Sequence, residues 1–502
     1  MVPSDRVAYP WLRGFRNTAT APSPANLWTV QLSIPQTDGW KHTLDQLSRR
    51  YANSSWRLPV ISLSLALVYF GTFYMVRGLR GLLLSAGLLG GIGVFVLCFA
   101  NPLPTLFAAL FLGLSTLDVY LPGPVSSGLL AIVLARVLFD LLGGHRLDLG
   151  TAVFRSSLAI LITICISSLF FVRRMDYAFV ELQLLFIGLT YLVCISYLID
   201  RPARILMLLK TAIFGYVVSF AFISQEMIMA GGLAMLGTRY APRLSAGGFD
   251  PNIASMMSVC LFPFAVFLVA ESRRFMRVFW LAVTLILGLA VVMSASRMGM
   301  GILGIVLFLL TFHYRKLALL AVAAAISVAA FLPQEYWTRF VSLGQLGGIV
   351  VDRSLQLRQH ALETAWDLFT SHPFTGIGIG NVHAESGRYM SVPKVAHNTY
   401  IGTLASLGIF GFLAYAAWFG SGVTMAMRSL RLARIEKRDT PKTLTWMLLV
   451  SFLALLIAFT TLDLAFHLMV WLLIALANVM RHTAEKGTPW NEVPSVVDSD
   501  ET

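Results

Sequence analysis

Apolar runs recur at about 58–76, 81–100, 103–120, 125–142, 155–172, 178–199, 205–223, 251–270, 277–294, 298–313, 316–332, 398–426, 443–462 and 464–480. Each is close to the ~20 residues that one bilayer crossing needs. No other feature constrains the fold as strongly. The whole chain is 57% apolar with a mean hydropathy of +0.74, and only 13% of it is charged, against roughly a quarter in soluble proteins. A secreted disulfide scaffold, a disordered chain and an ordinary cytosolic enzyme are thereby excluded. No run alternates as a membrane strand would, which excludes a barrel. The expected fold is all-α, a polytopic integral membrane bundle. Twelve to fourteen transmembrane helices are expected, the range set by the crowded stretch 81–120 and the tight turn Thr461-Leu462-Asp463.

The formal net charge of +13 follows the positive-inside rule rather than marking a nucleic-acid partner. The basic residues form no single patch with interleaved aromatics. Residues 1–57 are polar, broken by prolines and rich in arginine, and lack the apolar core of a cleavable signal; a cytoplasmic tail is expected. The remaining divisions are an N-terminal bundle (58–223), a core (224–426), C-terminal helices (427–480) and a second cytoplasmic tail (481–502). Eleven basic residues fall in the loops around 271–277, 315–316 and 427–442, against Arg239, Arg243 and Arg297 in the short loops of the opposite side. The first set is therefore expected in the cytoplasm, and segments 224–250 and 333–396 outside. Arg77, Arg80, Arg173 and Arg174 strain this scheme by falling outside. Cys98, Cys165, Cys194 and Cys260 all lie in apolar runs without a CxxC spacing, and read as small buried residues.

The outer segment 333–396 is far longer than a normal connection. Asp352 to Thr370 reads as an amphipathic helix with Leu355, Leu362, Trp366 and Phe369 as its stripe. Arg358 falls on that stripe, whereas Arg353, His360, Glu363 and Asp367 fall on the polar face. An arginine facing the protein body either snorkels to headgroups or offers its planar fork to a phosphate or diphosphate. After the helix come His372-Pro373, a stop, and Gly376-Ile377-Gly378-Ile379-Gly380-Asn381, a turn-rich stretch that follows no strand and only loosely resembles a phosphate cradle.

Arg297 stands at the outer end of two apolar runs, among Ser294, Ala295, Ser296 and Gly299. It is either an interfacial anchor or a cavity-lining charge. His397 precedes a span, where the helix N-terminus favours a neutral ring; it is either structural or a general base. Asp250-Pro251-Asn252 reads as helix punctuation, with Asp at the N-cap and Pro at N1. Arg136 and Asp140 are expected to neutralise each other at i,i+4. Asp463 and His467 share that spacing but have no third ligand in view, so no metal is expected.

These segments, in this order, resemble the O-antigen ligase and Wzy polymerase superfamily of bacterial membrane glycosyltransferases. Asp250-Pro251-Asn252 matches its DPN, and Ser296-Arg297-Met298-Gly299 its SR-G segment. Arg358, His372-Pro373, Gly376-Ile377-Gly378 and Gly380-Asn381 match its R…HP-GvG-GN stretch. His397-Asn398-Thr399-Tyr400-Ile401, followed by Gly408 and Gly411, matches its HN-x-x-L…G-x-x-G. The resemblance covers about 250 to 412; Met298 replaces a common glycine, and Leu362 a usual aromatic.

The resemblance implies a metal-independent, cofactor-free, inverting transferase of the bacterial inner membrane, with its site facing the periplasm and both termini cytoplasmic. The donor would be a glycan on undecaprenyl diphosphate and the acceptor a saccharide or lipid-linked glycan. Membrane lipids and other polysaccharide assembly proteins are further implied partners; nucleic acid is not. Arg297 and Arg358 would grip the diphosphate and His397 would activate the acceptor, with Asn398 and Arg353 as secondary candidates. Extra spans and tails favour a Wzy-type polymerase of exopolysaccharide or O-antigen over a ligase acting on lipid A-core. A lipid-linked-glycan transporter or flippase and a scaffold of an export complex are the rivals from other classes.

Overall fold

The computed structural model describes residues 91–115, 117, 121, 124–171, 175–229, 250–294, 296–330, 353–389, 396–436 and 439–487. The chain divides into two compact units, residues 1–85 with 148–150, and residues 86–147 with 151–502. Everything that follows concerns the second unit.

Its regular structure is helical throughout the described residues. The helices are α1 (Gly91–Ala100), α2 (Pro102–Ser115), α3 (Val125–Leu142), α4 (Ala152–Phe170), α5 (Met175–Leu198), α6 (Pro202–Met229) and α7 (Pro251–Glu271). There follow α8 (Arg274–Met293), α9 (Arg297–Ala330), α10 (Arg353–Ser371), α11 (Asn381–Tyr389), α12 (Thr399–Ile435), α13 (Asp439–Ala458) and α14 (Leu468–Glu485). Among the described residues nine are long and apolar enough to cross a membrane, or ten if the sharply bent pair α1–α2 counts as one. The polytopic bundle is thus as the apolar runs require. The run 58–76 and most of 81–100 lie outside the described residues.

Three details differ from the simple sequence of runs. The runs 81–100 and 103–120 meet as α1 and α2, bent by 111° at Asn101. The runs 298–313 and 316–332 form one helical stretch broken at Tyr314 (φ −129°, ψ 55°). The run from 398 is broken at Gly408 (φ 69°, ψ −172°), a conformation almost confined to glycine.

Helices α7 and α14 are buried along nearly their whole length and form the centre. Most side chains at their surfaces are apolar, so packing and hydroxyl bridges must set the register. Ser451 Oγ donates to the Cys260 carbonyl at 2.8 Å, joining α13 to α7. Ser258 Oγ donates to Leu287 O at 2.6 Å, and Tyr216 OH to Ala254 O at 2.7 Å. Asn478 Nδ2 donates to Ser196 Oγ at 3.1 Å, joining α14 to α5. Trp471 of α14 packs directly on Gly188 of α5, where a Cβ has no room. The expected pair Arg136–Asp140 is formed at 3.0 Å.

The Ser451–Cys260 bridge fixes which ends coincide. Helices α7 and α13 run antiparallel, so Asp250 and Ala458 mark the same end of the bundle. That end also carries Ser296, the start of α12 and the 459–467 turn.

Candidate functional site

The site end is built from two polar knots. The first joins α7 to α9. Asp250 Oδ1 caps α7 by accepting the Asn252 backbone N–H at 2.7 Å and the Asn252 side-chain amide at 2.7 Å. Ser296 Oγ donates to Asn252 Oδ1 at 3.0 Å and accepts the Gly299 N–H at 3.2 Å. Gly299 lies against the Ser255 side chain, where no Cβ would fit. The DPN and SR-G segments are therefore one structural unit. It seats Arg297 as the first residue of α9, half-buried. Asp250-Pro251 is punctuation, as its sequence suggests, and Asn252 adds the tie to Ser296.

The second knot holds His397. Asn398 is the N-cap of α12; its Oδ1 accepts the Ile401 N–H at 3.0 Å and its Nδ2 donates to Thr460 O at 3.1 Å. Thr399 is fully buried. Its N–H donates to Phe459 O at 2.8 Å, its hydroxyl donates to Leu462 O at 2.7 Å, and the same oxygen accepts the Leu464 N–H at 3.0 Å. Tyr400 OH donates to Leu456 O at 2.8 Å. Next to this clamp His397 sits half-buried at φ 51°. A branched ring residue in the left-handed region is strained and persists only where the surroundings over-determine it.

The outer helix packs over the same place. Ala365 of α10, Val382 of α11, Ala396 and Ala405 form a small core, flanked by Leu368, Phe369, Ile377 and Ile401. The buried face of α10 is carried by Ala361 and Ala365 rather than by the expected large-residue stripe; Trp366 is 48% exposed. Small residues let α10 approach α12 closely, and the apolar count of a stripe does not register that. Arg358 stays on this inward side, three residues before Ala361, and is half-buried. His360 and Glu363 are exposed and pair with each other at 3.3 Å. The side chain of Arg353 lies outside the described residues.

The glycine stretch is spent on backbone docking, not on a phosphate cradle. Gly376 (φ 65°) lies on the Ser406–Leu407 backbone and Gly408 on the Phe374 carbonyl. The Ile377 N–H donates to Ala405 O at 2.9 Å, that of Gly378 to Ser406 O at 3.0 Å, and that of Ile409 to Pro373 O at 2.8 Å. Gly378 and Gly380 press on the turn between α4 and α5, against Phe171 and Tyr177–Ala178, and Asn381 Nδ2 donates to Phe171 O at 2.9 Å. That turn therefore shares the site end. Arg173 and Arg174, whose outward placement strained the charge pattern, lie outside the described residues between these contacts.

Two carboxylates at this end were not singled out from sequence as site residues. Asp463 Oδ2 lies 3.0 Å from the point where a Gly402 Cβ would stand, and the Ala396 Cβ is 3.5 Å from that same point. Burial, and then the charge of Glu181 on α5, push the Asp463 carboxyl up to about 7. His467 does not share a site with it: its Nδ1 accepts the Met469 N–H at 3.2 Å as the N-cap of α14. Tyr177 of α5 stacks on His383 of α11, with ring centroids 4.8 Å apart.

Fold and site together define a polytopic membrane protein with a polar site assembled at one end of its bundle from strained turns and helix N-termini. Residues 282–416 match the family model of O-antigen ligase, so the chain carries an O-antigen ligase family domain over that segment. The match supports a glycosyltransferase of the ligase or polymerase kind. It takes in Arg297, Arg358, the glycine stretch and His397, and leaves out Asp250, Glu181 and Asp463. No curated protein matches the chain closely enough to count as a relative.

Proposed function

We propose that the chain is a periplasm-facing, inverting glycosyltransferase of the bacterial inner membrane. It moves a glycan from undecaprenyl diphosphate to a saccharide acceptor, as a Wzy-type polysaccharide polymerase. The observation that carries this reading is the strained, half-buried His397, clamped by Thr399 beside the inward face that bears Arg358. The acceptor hydroxyl oxygen attacks the anomeric carbon from the face opposite the diphosphate. The sugar–oxygen bond breaks, and its electron pair leaves with the diphosphate. Arg297 and Arg358 stabilise that charge with planar, permanently ionised forks, and His397 Nδ1 or Nε2 accepts the hydroxyl proton. Asn398 supports the histidine through its cap, and Arg353 is a secondary candidate at the start of α10. The basic asymmetry of the loops places this end in the periplasm, with both termini cytoplasmic. The five-part division of the chain, with 224–426 as the transferase core, belongs to the same reading.

The test is transfer by purified protein of an undecaprenyl-diphosphate-linked repeat. His397→Ala is expected to lose about 10²–10⁴-fold in rate while keeping expression and folding. Turnover near the wild-type rate would remove His397 as the base.

A further inference from the structure

Helix α5 presents one stripe to the bundle interior. Leu185 and Leu192 are fully buried, Gly188 carries Trp471, and Tyr177 stacks on His383. Glu181 occupies this stripe by helical spacing, one turn after Tyr177 and one before Leu185. A carboxylate on the inward face of a membrane helix is costly and marks a functional position. Its charge is felt by Asp463, which lies beside Ala396 and Gly402, immediately next to His397 in the chain.

A second observation points to a ligand here. Tyr415 is 2% exposed, and its hydroxyl has no hydrogen-bond partner among the described residues. The ring lies between Phe459 and Phe466, which bracket the Asp463 turn, at 6.3 and 6.2 Å. The phenol interacts electrostatically with Asp463 itself. A buried hydroxyl without a partner loses a full hydrogen bond. Two carboxylates and one hydroxyl that converge from α5, α12 and the 459–467 turn offer many acceptor positions and a single free donor. That inventory suits a ligand rich in hydroxyl groups and does not suit a diphosphate.

We infer that Glu181 and Asp463, with the Tyr415 hydroxyl, form the subsite that takes the sugar hydroxyls of the acceptor. The inference rests on the transferase reading and deepens it. The acceptor and donor sites are then separated by charge, with carboxylates for the neutral hydroxyls and arginines for the diphosphate. Glu181 and Asp463 both lie outside the matched segment 282–416, so acceptor choice would vary independently of the donor machinery.

The experiment uses full-length protein, the lipid-linked repeat as donor, and the same oligosaccharide released by mild acid as soluble acceptor. Glu181→Gln and Asp463→Asn are expected to raise the acceptor KM about 10- to 100-fold, the loss of a charged hydrogen bond. The donor KM should hold within about two-fold, well inside one such bond. Tyr415→Phe keeps the ring and removes only the hydroxyl, and should raise the acceptor KM about five-fold; it carries the test if a carboxylate variant fails to fold. An unchanged acceptor KM in an active protein overturns the subsite alone, as does a rise confined to the donor KM. A wild-type protein that transfers nothing removes the transferase reading, and the subsite with it.

Discussion

Thr399 is the residue on which the placement of His397 depends, and Thr399→Val tests that dependence with almost no change in shape. The hydroxyl serves two backbone groups of the 459–464 turn, donating to Leu462 O and accepting from Leu464 N–H, at a position with no solvent access. Valine fills the same volume, so no cavity opens. What is lost is the pairing of two buried groups, each costing about 1–3 kcal/mol when left unmade. The expected loss is about 2–5 kcal/mol in the docking of the turn on α12. The contacts Thr399 N–H to Phe459 O and Asn398 to Thr460 O remain, so the turn loosens without leaving.

That loosening falls on a histidine held at φ 51°. A strained conformation relaxes once its surroundings no longer enforce it, and a displacement near 1 Å at a reacting group costs about 10²-fold. Thr399→Val should therefore melt earlier and transfer about 10- to 100-fold more slowly, whereas Thr399→Ser keeps the hydroxyl and most of the activity. The assays are thermal unfolding in detergent and glycan transfer at matched protein level, with His397→Ala as the floor. Wild-type melting and wild-type transfer in Thr399→Val would refute the clamp as the device that positions His397.

Arg358→Lys and Arg297→Lys keep the charge but lose the bidentate fork; both should lose donor affinity and transfer severely, while Arg353→Ala loses far less, and the reverse order would put the wrong face of α10 toward the site. Gly408→Ala should destabilise by about 1–3 kcal/mol from backbone strain, with a further penalty from the Phe374 carbonyl it would strike, whereas Gly420→Ala, with open space around it in the same helix, should be tolerated; equal melting of the two variants would contradict the docking described. Cysteines placed near Gly387 should react with a membrane-impermeant thiol reagent in spheroplasts and ones near Ile435 should not; the opposite pattern would invert the orientation read from the loop charges. Asp463 has a folded-state pKa near 7 against about 4 when unfolded, so it is protonated only in the folded protein over that interval. Its contribution to stability is complete below about pH 4 and is lost as the pH rises to 7; Asp463→Asn should flatten that slope in melting curves, and an unchanged slope would show that the carboxyl is not held protonated.

The bundle was legible because a crossing helix leaves a run of definite length and composition. Breaks inside runs were not, because hydropathy carries no direction: Tyr314 and the turn at Gly408 sit in sequence that is apolar on both sides. Gly408 was visible only as a motif letter, and its role depends on the Phe374 carbonyl, more than thirty residues away in the chain. On α10 the helix itself and the inward side of Arg358 were legible from spacing. The choice of Ala361 and Ala365 over Trp366 was not, since a close helix contact selects for small side chains and a stripe is read by large ones. Thr399 had no distinguishing signal, because one buried threonine resembles another until its two partners are known. Glu181 stood alone in an apolar run, which was a usable signal; its partner Asp463 was noticed only as part of a tight turn and paired with the wrong neighbour, His467, which is committed to capping α14.

The contacts also explain why a transferase core should need so many helices around it. Within the matched segment, 282–416, neither polar knot closes on its own. Ser296 is tied to Asn252, before the segment; Thr399 is tied to Phe459, Leu462 and Leu464, after it. The glycine stretch docks on Phe171 and Ala178, from the first half of the chain. Each tie crosses from a residue of the proposed chemistry to a backbone group of a flanking helix. Main-chain groups place few demands on side-chain identity, so the flanking helices can hold the site rigid while their own sequences vary. The side chains that do reach inward from those flanks, Glu181 and Asp463, are then the ones free to meet an acceptor particular to this protein.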